Sequence, residues 1–440
     1  MDCPITHSRT RIVYTLREGN PMRKMGLSGL ALTLLLGGCG TGGVGTNSTQ
    51  TPNPQKTKET PVKLEPKITD ATLGFAWRLV NQLESAEEGR NLFFSPLSVS
   101  LALSMALNGA EGETYQQIAK TLGYENLSLD AVNAQSALLM QTLRSPDPKA
   151  EVSVANSLWV AEGFPIEADF VKRLQQFYDA EAQNLDFARA PEAAAQRINE
   201  WVKAQTREMI PKLFEANAFN ADTVAVLVNA LYFKGKWQKP FSKDATHEMP
   251  FRMENGRTKP VPMMMTSGKY PYYKGDGYQA VVLPYGEGNL MFYLLLPDEG
   301  RTVAQLVEQM NPERWKQMTT QMKPTEGDVG LPRFRVETQY ALKPILQQLG
   351  MEAPFQPDGA DFSRINRAYG KKIYINQVIH KAVVQVDEEG TEAAAATGIE
   401  MRITAAPVNH FTVIADRPFL FAIVHQPTGA VLFMGIVREP

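Results

Sequence analysis

Few residues in this chain are placed to do chemistry, and most candidates can be set aside. The two cysteines, Cys3 and Cys39, both precede the part of the chain that reads as globular. Neither can serve that part as nucleophile, metal ligand or half of a disulfide. The histidines beyond them, His247, His380, His410 and His425, share no ligand-like spacing, and each suits a core or surface position. There is no Gly-x-Ser-x-Gly elbow, no His-Glu-x-x-His pair and no phosphate loop. Gly40-x-Gly42-x-x-Gly45 matches the dinucleotide-binding pattern formally, but no strand precedes it and no helix follows. The expectation is a non-enzyme with no catalytic residues, no metal and no cofactor. With a net charge of −2 and both signs mixed along the chain, no basic stripe points to nucleic acid or another polyanion.

Two places do suggest chemistry. At the first, Arg23 and Lys24 precede a short apolar run, Leu27 to Leu36, which ends in Gly37-Gly38-Cys39. The run is too short to span a bilayer of about 30 Å as a helix. A basic flank and a short apolar stretch make a signal peptide. Its end resembles the bacterial lipobox, whose cysteine thiol receives a diacylglycerol and becomes the new N-terminus. An ordinary secretory signal is the alternative. Residues 1–21 fit no signal pattern, and Met22 makes a better start.

The second place is Val386 to Pro407. Its four successive alanines favour a helix, but Gly390 and Gly398 flank them and the residues alternate. Thr391, Ala393, Ala395, Thr397, Ile399, Met401 and Ile403 form an uncharged series; Glu392, Ala394, Ala396, Gly398, Glu400 and Arg402 carry all the charge. That is the period of a strand with one buried face, whose inward positions start small and grow. No proline interrupts it before Pro407.

The surrounding elements follow from composition and period. Residues 40–66 are rich in Gly, Thr, Asn, Pro and Lys and read as a flexible tether, so the chain divides into 1–21, a signal peptide 22–38, a tether 39–69 and one domain 70–440. Ala71 to Leu83 and Leu97 to Asn108 have helical spacing, the latter opened by Ser95-Pro96 and closed by Gly109. Ala193 to Met209 is amphipathic, with Ile198, Trp201 and Val202 on one face. Val224 to Phe233 reads as a strand buried on both faces. Ala280 to Leu283 and Leu290 to Leu296 read as strands around Gly286-Glu287-Gly288, and Phe419 to His425 and Ala430 to Val437 as a hairpin. Helices first and strands later predict an α+β fold.

From Asp70 to Pro440 the chain resembles the serpin family. The resemblance rests on motifs in the expected order: Asn91-Leu-Phe-Phe-Ser95-Pro96, Asn108-Gly-Ala-Glu-Gly-Glu-Thr114, Asn229-Ala-Leu-Tyr-Phe-Lys-Gly-Lys-Trp237 with Pro240-Phe241, Leu331-Pro332-Arg333-Phe334, His380-Lys381-Ala382, Asp416-Arg417-Pro418-Phe419 and Phe433-Met434-Gly435. The resemblance implies three β-sheets, about nine helices and an exposed reactive-centre loop. It implies a metastable inhibitor whose loop is cut by a serine protease and then inserts into the main sheet with the protease held as an acyl-enzyme.

In that family's terms Glu388, Glu389, Gly390, Thr391, Glu392, Ala393, Ala394, Ala395, Ala396 and Thr397 form the hinge. The spacing from Glu388 usual in inhibitory relatives puts the reactive bond at Thr404-Ala405, suited to elastase-like or subtilisin-like proteases, with Arg402 as the trypsin-type alternative. Ser95, Asn229 and His380 match the cluster where the sheet opens. Trp237, Arg333 and Glu388 match its top, with Arg333 placed to pair with Glu388. Static packing would suit the same residue types. The small inward residues of the hinge favour an active inhibitor; a non-inhibitory serpin or a lipid-anchored binding protein is the alternative. The expected partner is a serine protease in covalent complex, without nucleic acid or a heparin-type activator, and the protein is expected to be a monomer. Its expected location is exported and membrane-anchored through the Cys39 lipid alone, at the outer membrane, cell surface or periplasm, or else secreted.

Overall fold

The structure, a computed structural model, describes residues 64–144, 146–391 and 410–440. Cys39, the signal peptide, the tether up to residue 63, the hinge residues Glu392, Ala393, Ala394, Ala395, Ala396 and Thr397, and Arg402, Thr404 and Ala405 lie outside them. In chain order the elements are α1 (Pro66–Ala86), β1 (Leu92–Phe94), α2 (Pro96–Gly109), α3 (Gly112–Leu122), α4 (Leu129–Leu143), β2 (Ala150–Ala161), α5 (Ala168–Tyr178), β3 (Glu181–Leu185), α6 (Pro191–Gln205) and β4 (Ala225–Lys236). There follow β5 (His247–Arg252), β6 (Thr258–Lys274), β7 (Tyr278–Tyr285), β8 (Leu290–Pro297), α7 (Val303–Gln309), α8 (Pro312–Gln321), β9 (Lys323–Pro332), β10 (Phe334–Ala341) and α9 (Lys343–Gln348). The chain closes with β11 (Ile379–Val386), β12 (Gly390–Thr391), β13 (His410–Ile414), β14 (Phe419–His425) and β15 (Ala430–Val437).

Six strands make one sheet in the order β10-β11-β12-β4-β2-β3. Nine others are continuous in hydrogen bonding but serve as two sheets, because β6 is shared. Met263 to Tyr272 of β6 pair with β9, while only Tyr272 to Lys274 pair with β7. The strand thus passes from the layer holding β13 and β9 into the layer holding β7, β8, β14, β15 and β1. Three sheets and, among the described residues, nine α-helices give the α+β architecture that the motifs imply.

Local rules hold well at several points. The Ser95 side chain accepts a hydrogen bond from the Ser98 backbone N–H, with Pro96 in the first turn of α2. The β14–β15 hairpin has the bounds read from its alternation. Two ends differ. Helix α1 starts at Pro66, ahead of the expected Ala71, because Leu64 and Ile68 are buried in the core and composition alone does not register that docking. Helix α6 stops at Gln205 and not at Met209, because Arg207 and Glu208 both take positive φ (51° and 68°). The segment after α6 then turns back over the six-stranded sheet. Ile198, Trp201 and Val202 of α6 pack with Ile210, Leu213 and Phe214 against Trp159, Val228 and Ala230, forming a second core on one face of the sheet. The opposite face, with Leu231 and Phe233, belongs to the main core. Strand β4 is therefore covered on both faces along its middle, but Val224 to Leu227 are only half-buried, for a reason that appears in the site.

Candidate functional site

Among the described residues, the site is an opening in the six-stranded sheet. Strand β4 pairs with β2 from Ala225 to Gly235 along one edge. Strand β11 pairs with β10 from Ile379 to Val386 along one edge. Their facing edges are joined, among the described residues, only through β12: Gly390 opposite Lys236, and Thr391 opposite both Gly235 and Val386. Below Thr391 three cavities follow the line between β4 and β11. The first, about 20 Å³, lies beside Thr391, Phe233 and Val384. The second, about 20 Å³, lies at Asn229 and His380. The third, about 250 Å³, is bounded by Val224 to Leu227 on one side and Ile375 to Val378 on the other. It is the reason that the start of β4 is only half-buried.

The top of the opening is built from β11, the turn into β12 and the end of β4. Asp387 starts the turn. Its carboxylate accepts the backbone N–H groups of Glu389 (2.9 Å) and Gly390 (3.3 Å), and its carbonyl accepts the Trp237 indole N–H at 2.8 Å. The backbone N–H groups of Trp237 and Phe241 donate to the carbonyls of Glu389 (2.9 Å) and Glu388 (2.8 Å). Gly390 has φ +155°, and a Cβ there would stand 2.0 Å from the Gly235 carbonyl oxygen, so only glycine lets the chain approach β4 this closely.

Glu388 is 2% exposed. It is held by the Arg333 guanidinium, whose Nε lies 2.8 Å from both carboxylate oxygens and whose Nη2 donates to Oε1, and by the Thr246 hydroxyl at 2.7 Å. Burial pushes its pKa up, but the hydrogen bonds from Arg333 and Thr246 outweigh that and hold the carboxyl below its usual value. Trp237 stacks on Tyr285 with ring centroids 4.4 Å apart, and Phe233 meets the same ring edge-on at 5.0 Å. The Thr391 hydroxyl lies 2.6 Å from that of Tyr285.

The middle of the opening is neutral. The Ser95 backbone N–H donates to His380 Nε2 at 3.0 Å, and Ser95 Oγ donates to the Leu432 carbonyl at 2.6 Å. Ser98 Oγ donates to the Asn229 side-chain oxygen, and Asn229 Nδ2 donates to Asn156 Oδ1 at 2.7 Å. Asn156 in turn donates to the Tyr178 carbonyl at 2.7 Å. Burial lowers the His380 pKa to about 4, which keeps Nε2 free to accept.

Ser95, Asn229 and His380 are thus brought together, as are Trp237, Arg333 and Glu388. Glu389 lies at the rim, 3.6 Å from Lys243. Four further residues belong to the site: Thr246, Tyr285, Asn156 and Gly235. Gly235 lies inside the Asn229-to-Trp237 motif, whereas nothing in the local sequence of the other three distinguishes them. His410 pairs with Asp328 at 2.8 Å, and His425 contacts the Thr428 hydroxyl at 2.8 Å; neither joins the opening. Among the described residues no three or more His, Cys, Asp or Glu side chains are grouped to hold a metal.

Comparison with known proteins yields a consistent set. The family profile described as Serpin (serine protease inhibitor) matches residues 70–440. The leukocyte elastase inhibitor of Equus caballus is 36% identical over 386 residues, spanning 85% of this chain and 100% of that protein. That of Bos taurus is 37% identical over 383 residues, with the same coverage of both. Among solved structures, the thermophilic serpin tengpin in its native state superposes with a TM-score of 0.78 at 31% identity, covering 87% of this chain and 96% of that one. Thyroxine-binding globulin in complex with thyroxine superposes with a TM-score of 0.75 at 27% identity, covering 85% and 99%.

Proposed function

The chain belongs to the serpin family, and from that premise we propose that it inhibits serine proteases by the suicide route: loop cleavage, acyl-enzyme formation and insertion of the cut loop between β4 and β11. One observation carries the reading. Gly390 and Thr391 form the first rung of a strand between β4 and β11, whose facing edges are otherwise unpaired among the described residues. Continued in the register of Gly390 and Thr391, the strand would set Ala393 between Phe233 and Val384, Ala395 between Leu231 and Ala382, and Thr397 between Asn229 and His380. Ile399 and Met401 would follow into the cavity of about 250 Å³. The inward residues therefore grow along the chain as the free space grows along the slot. Small apolar side chains lose little on desolvation, and the larger ones gain about 1.5–3 kcal/mol each on burial.

The reactive bond in this reading is Thr404-Ala405, so the targets are elastase-like or subtilisin-like proteases. Two relatives named as elastase inhibitors support that class. Mixing the purified protein with a panel of proteases tests it. A complex stable to denaturant with an elastase-type enzyme, and a released C-terminal fragment starting at Ala405, are expected. A fragment starting at Ile403 would move the reactive residue to Arg402. Cleavage without any covalent complex would favour the non-inhibitory alternative, as thyroxine-binding globulin shares the fold.

The lipobox-like end at Cys39 supports a second element of the proposal: export, lipidation and anchoring of the mature chain at an outer membrane or cell surface. Mass spectrometry of membrane-extracted protein tests it; an unmodified Cys39 thiol or a different mature terminus rejects it.

A further inference from the structure

We propose that the Tyr285 hydroxyl is a buried catch that seats Thr391 as the first rung of the inserting strand, which makes Tyr285 a positioning residue for insertion. Its consequence for inhibition rests on the reading above; its geometry does not. Tyr285 ends β7, and that end is pinned beneath the hinge. Trp237 forms an antiparallel bridge to it, the Gly286 N–H donates to the Lys236 carbonyl at 2.8 Å, and the Gln238 N–H donates to the Pro284 carbonyl at 2.8 Å. Clamped between Trp237 and Phe233, the ring is 0% exposed and cannot swing toward water. Burial raises its pKa well above the usual tyrosine value, so the hydroxyl stays neutral and can both donate and accept.

Its partner is the hydroxyl of Thr391, itself 3% exposed. The small void beside Thr391 is lined mostly by apolar side chains, among them Phe233, Val384 and Phe433, and the Thr206 hydroxyl on its wall donates to the Val202 carbonyl at 2.8 Å. If Thr391 withdraws, its own hydroxyl meets water. Water follows into the place it leaves and reaches that of Tyr285, so a chain with only one of the two hydroxyls has it orphaned in the seated state alone, and an orphaned buried polar group is penalised more than a made bond is rewarded. The seated state is therefore favoured by a specific bond beyond the fit of a small residue. Position 391 carries a hydroxyl for this reason; size alone would admit alanine or valine equally.

The test is a double-mutant cycle on the full domain, read by amide hydrogen exchange of the peptide spanning 384–391 in the resting protein. Tyr285→Phe keeps the ring and its stacking, and Thr391→Val keeps the shape. Each single variant leaves one hydroxyl unmatched and is expected to speed hinge exchange about fivefold, with the β14–β15 hairpin unchanged. Removing both hydroxyls leaves an apolar pair of the same shape, and Tyr285→Phe/Thr391→Val is expected to return to within about twofold of wild type. Unchanged exchange in Tyr285→Phe, or a double variant showing the product of the two single effects, would overturn the catch. A second arm measures how many inhibitor molecules are consumed per trapped elastase-type protease. The singles are expected to raise that number and the double to restore it. A wild type that traps no protease would defeat the inhibitory reading while leaving the exchange cycle to decide the catch.

Discussion

Strands β14 and β15 differ from β4 and β11 in one respect that matters. β14 is bonded on both edges, to β15 and β8, and β15 to β14 and β1; every residue of the two is buried. β4 and β11 are each bonded along one edge and, among the described residues, touch at the other only Gly390 and Thr391. Strand propensity does not account for this, since all four strands are rich in β-branched and large apolar residues. The contrast lies in what lines the edges. Along β14 the chain supplies β8 and β15, partners of matching length, and β15 is joined on its outer edge by the short β1 at Met434 to Ile436. Along the slot it places Asn229 and His380 in a self-satisfied polar network, and glycines at 235 and 390 where a further strand must come close. Among the described residues the first pair has strands on both edges, whereas β4 and β11 face each other unpaired below Thr391.

The comparison breaks most visibly at Thr391. Thr391→Arg would press a guanidinium against Tyr285 and Trp237 in the slot, and an unpaired buried charge costs several kcal/mol. Each ~1.4 kcal/mol added to the insertion barrier slows it about tenfold. The variant is expected to be cut as a substrate, with trapping lost on a denaturing gel, while the β14–β15 half unfolds as before. Undiminished trapping would show that Thr391 is not the first inserted position.

Arg333→Met comes next. It leaves the Glu388 carboxylate buried beside Thr246 without its cation. The expected loss is about 3 kcal/mol in urea unfolding, the low end for a broken buried pair because Arg333 is itself half-exposed. Adding Glu388→Gln should recover most of it, and failure to recover would mean that Arg333 matters for reasons other than this carboxylate.

A pH series sharpens the neutral middle of the slot. His380 takes up a proton only near pH 4 in the folded chain, against about 6.5 when unfolded. The unfolded state therefore binds the extra proton in this window, and stability falls as pH is lowered from about 6.5 to about 4. His380→Gln keeps an acceptor for the Ser95 N–H and removes the titration. The slope of unfolding free energy against pH should drop by about 1.4 kcal/mol per pH unit in that window. His425, whose pKa burial also lowers to about 4, lies in the β14–β15 half and should still contribute its own slope.

The smallest effect expected of the slot itself comes from filling it. Ala102 lines the cavity of about 250 Å³, and Ala102→Leu should raise resting stability by about 1–2 kcal/mol while lowering the yield of trapped protease. A similar substitution in the close-packed β14–β15 half should destabilise instead. Equal gains in both places would mean that the slot holds no spare volume.

Much of this molecule could be read along the chain, because many of its signals are local. The Ser95-Pro96 start of α2, the β14–β15 hairpin and the inward parity of Thr391 depend on spacing within a few residues, where capping, turn and period-two rules act directly. The order of the motifs carried the family, and with it the pairing of Arg333 with Glu388. Other features were decided only in three dimensions. Tyr285, Thr246 and Asn156 sit in ordinary local contexts and matter because β7, the turn before β5, and β2 bring them to the slot. The start of α1 at Pro66 and the end of α6 at Gln205 were set by burial of Leu64 and Ile68 and by the turn of Arg207 and Glu208, each answering to distant packing. The slot between β4 and β11, unpaired below Thr391 among the described residues, is the clearest case. A sequence shows which segments favour extended structure, but whether an edge is filled depends on which segments reach it, and that is a property of the assembled sheet.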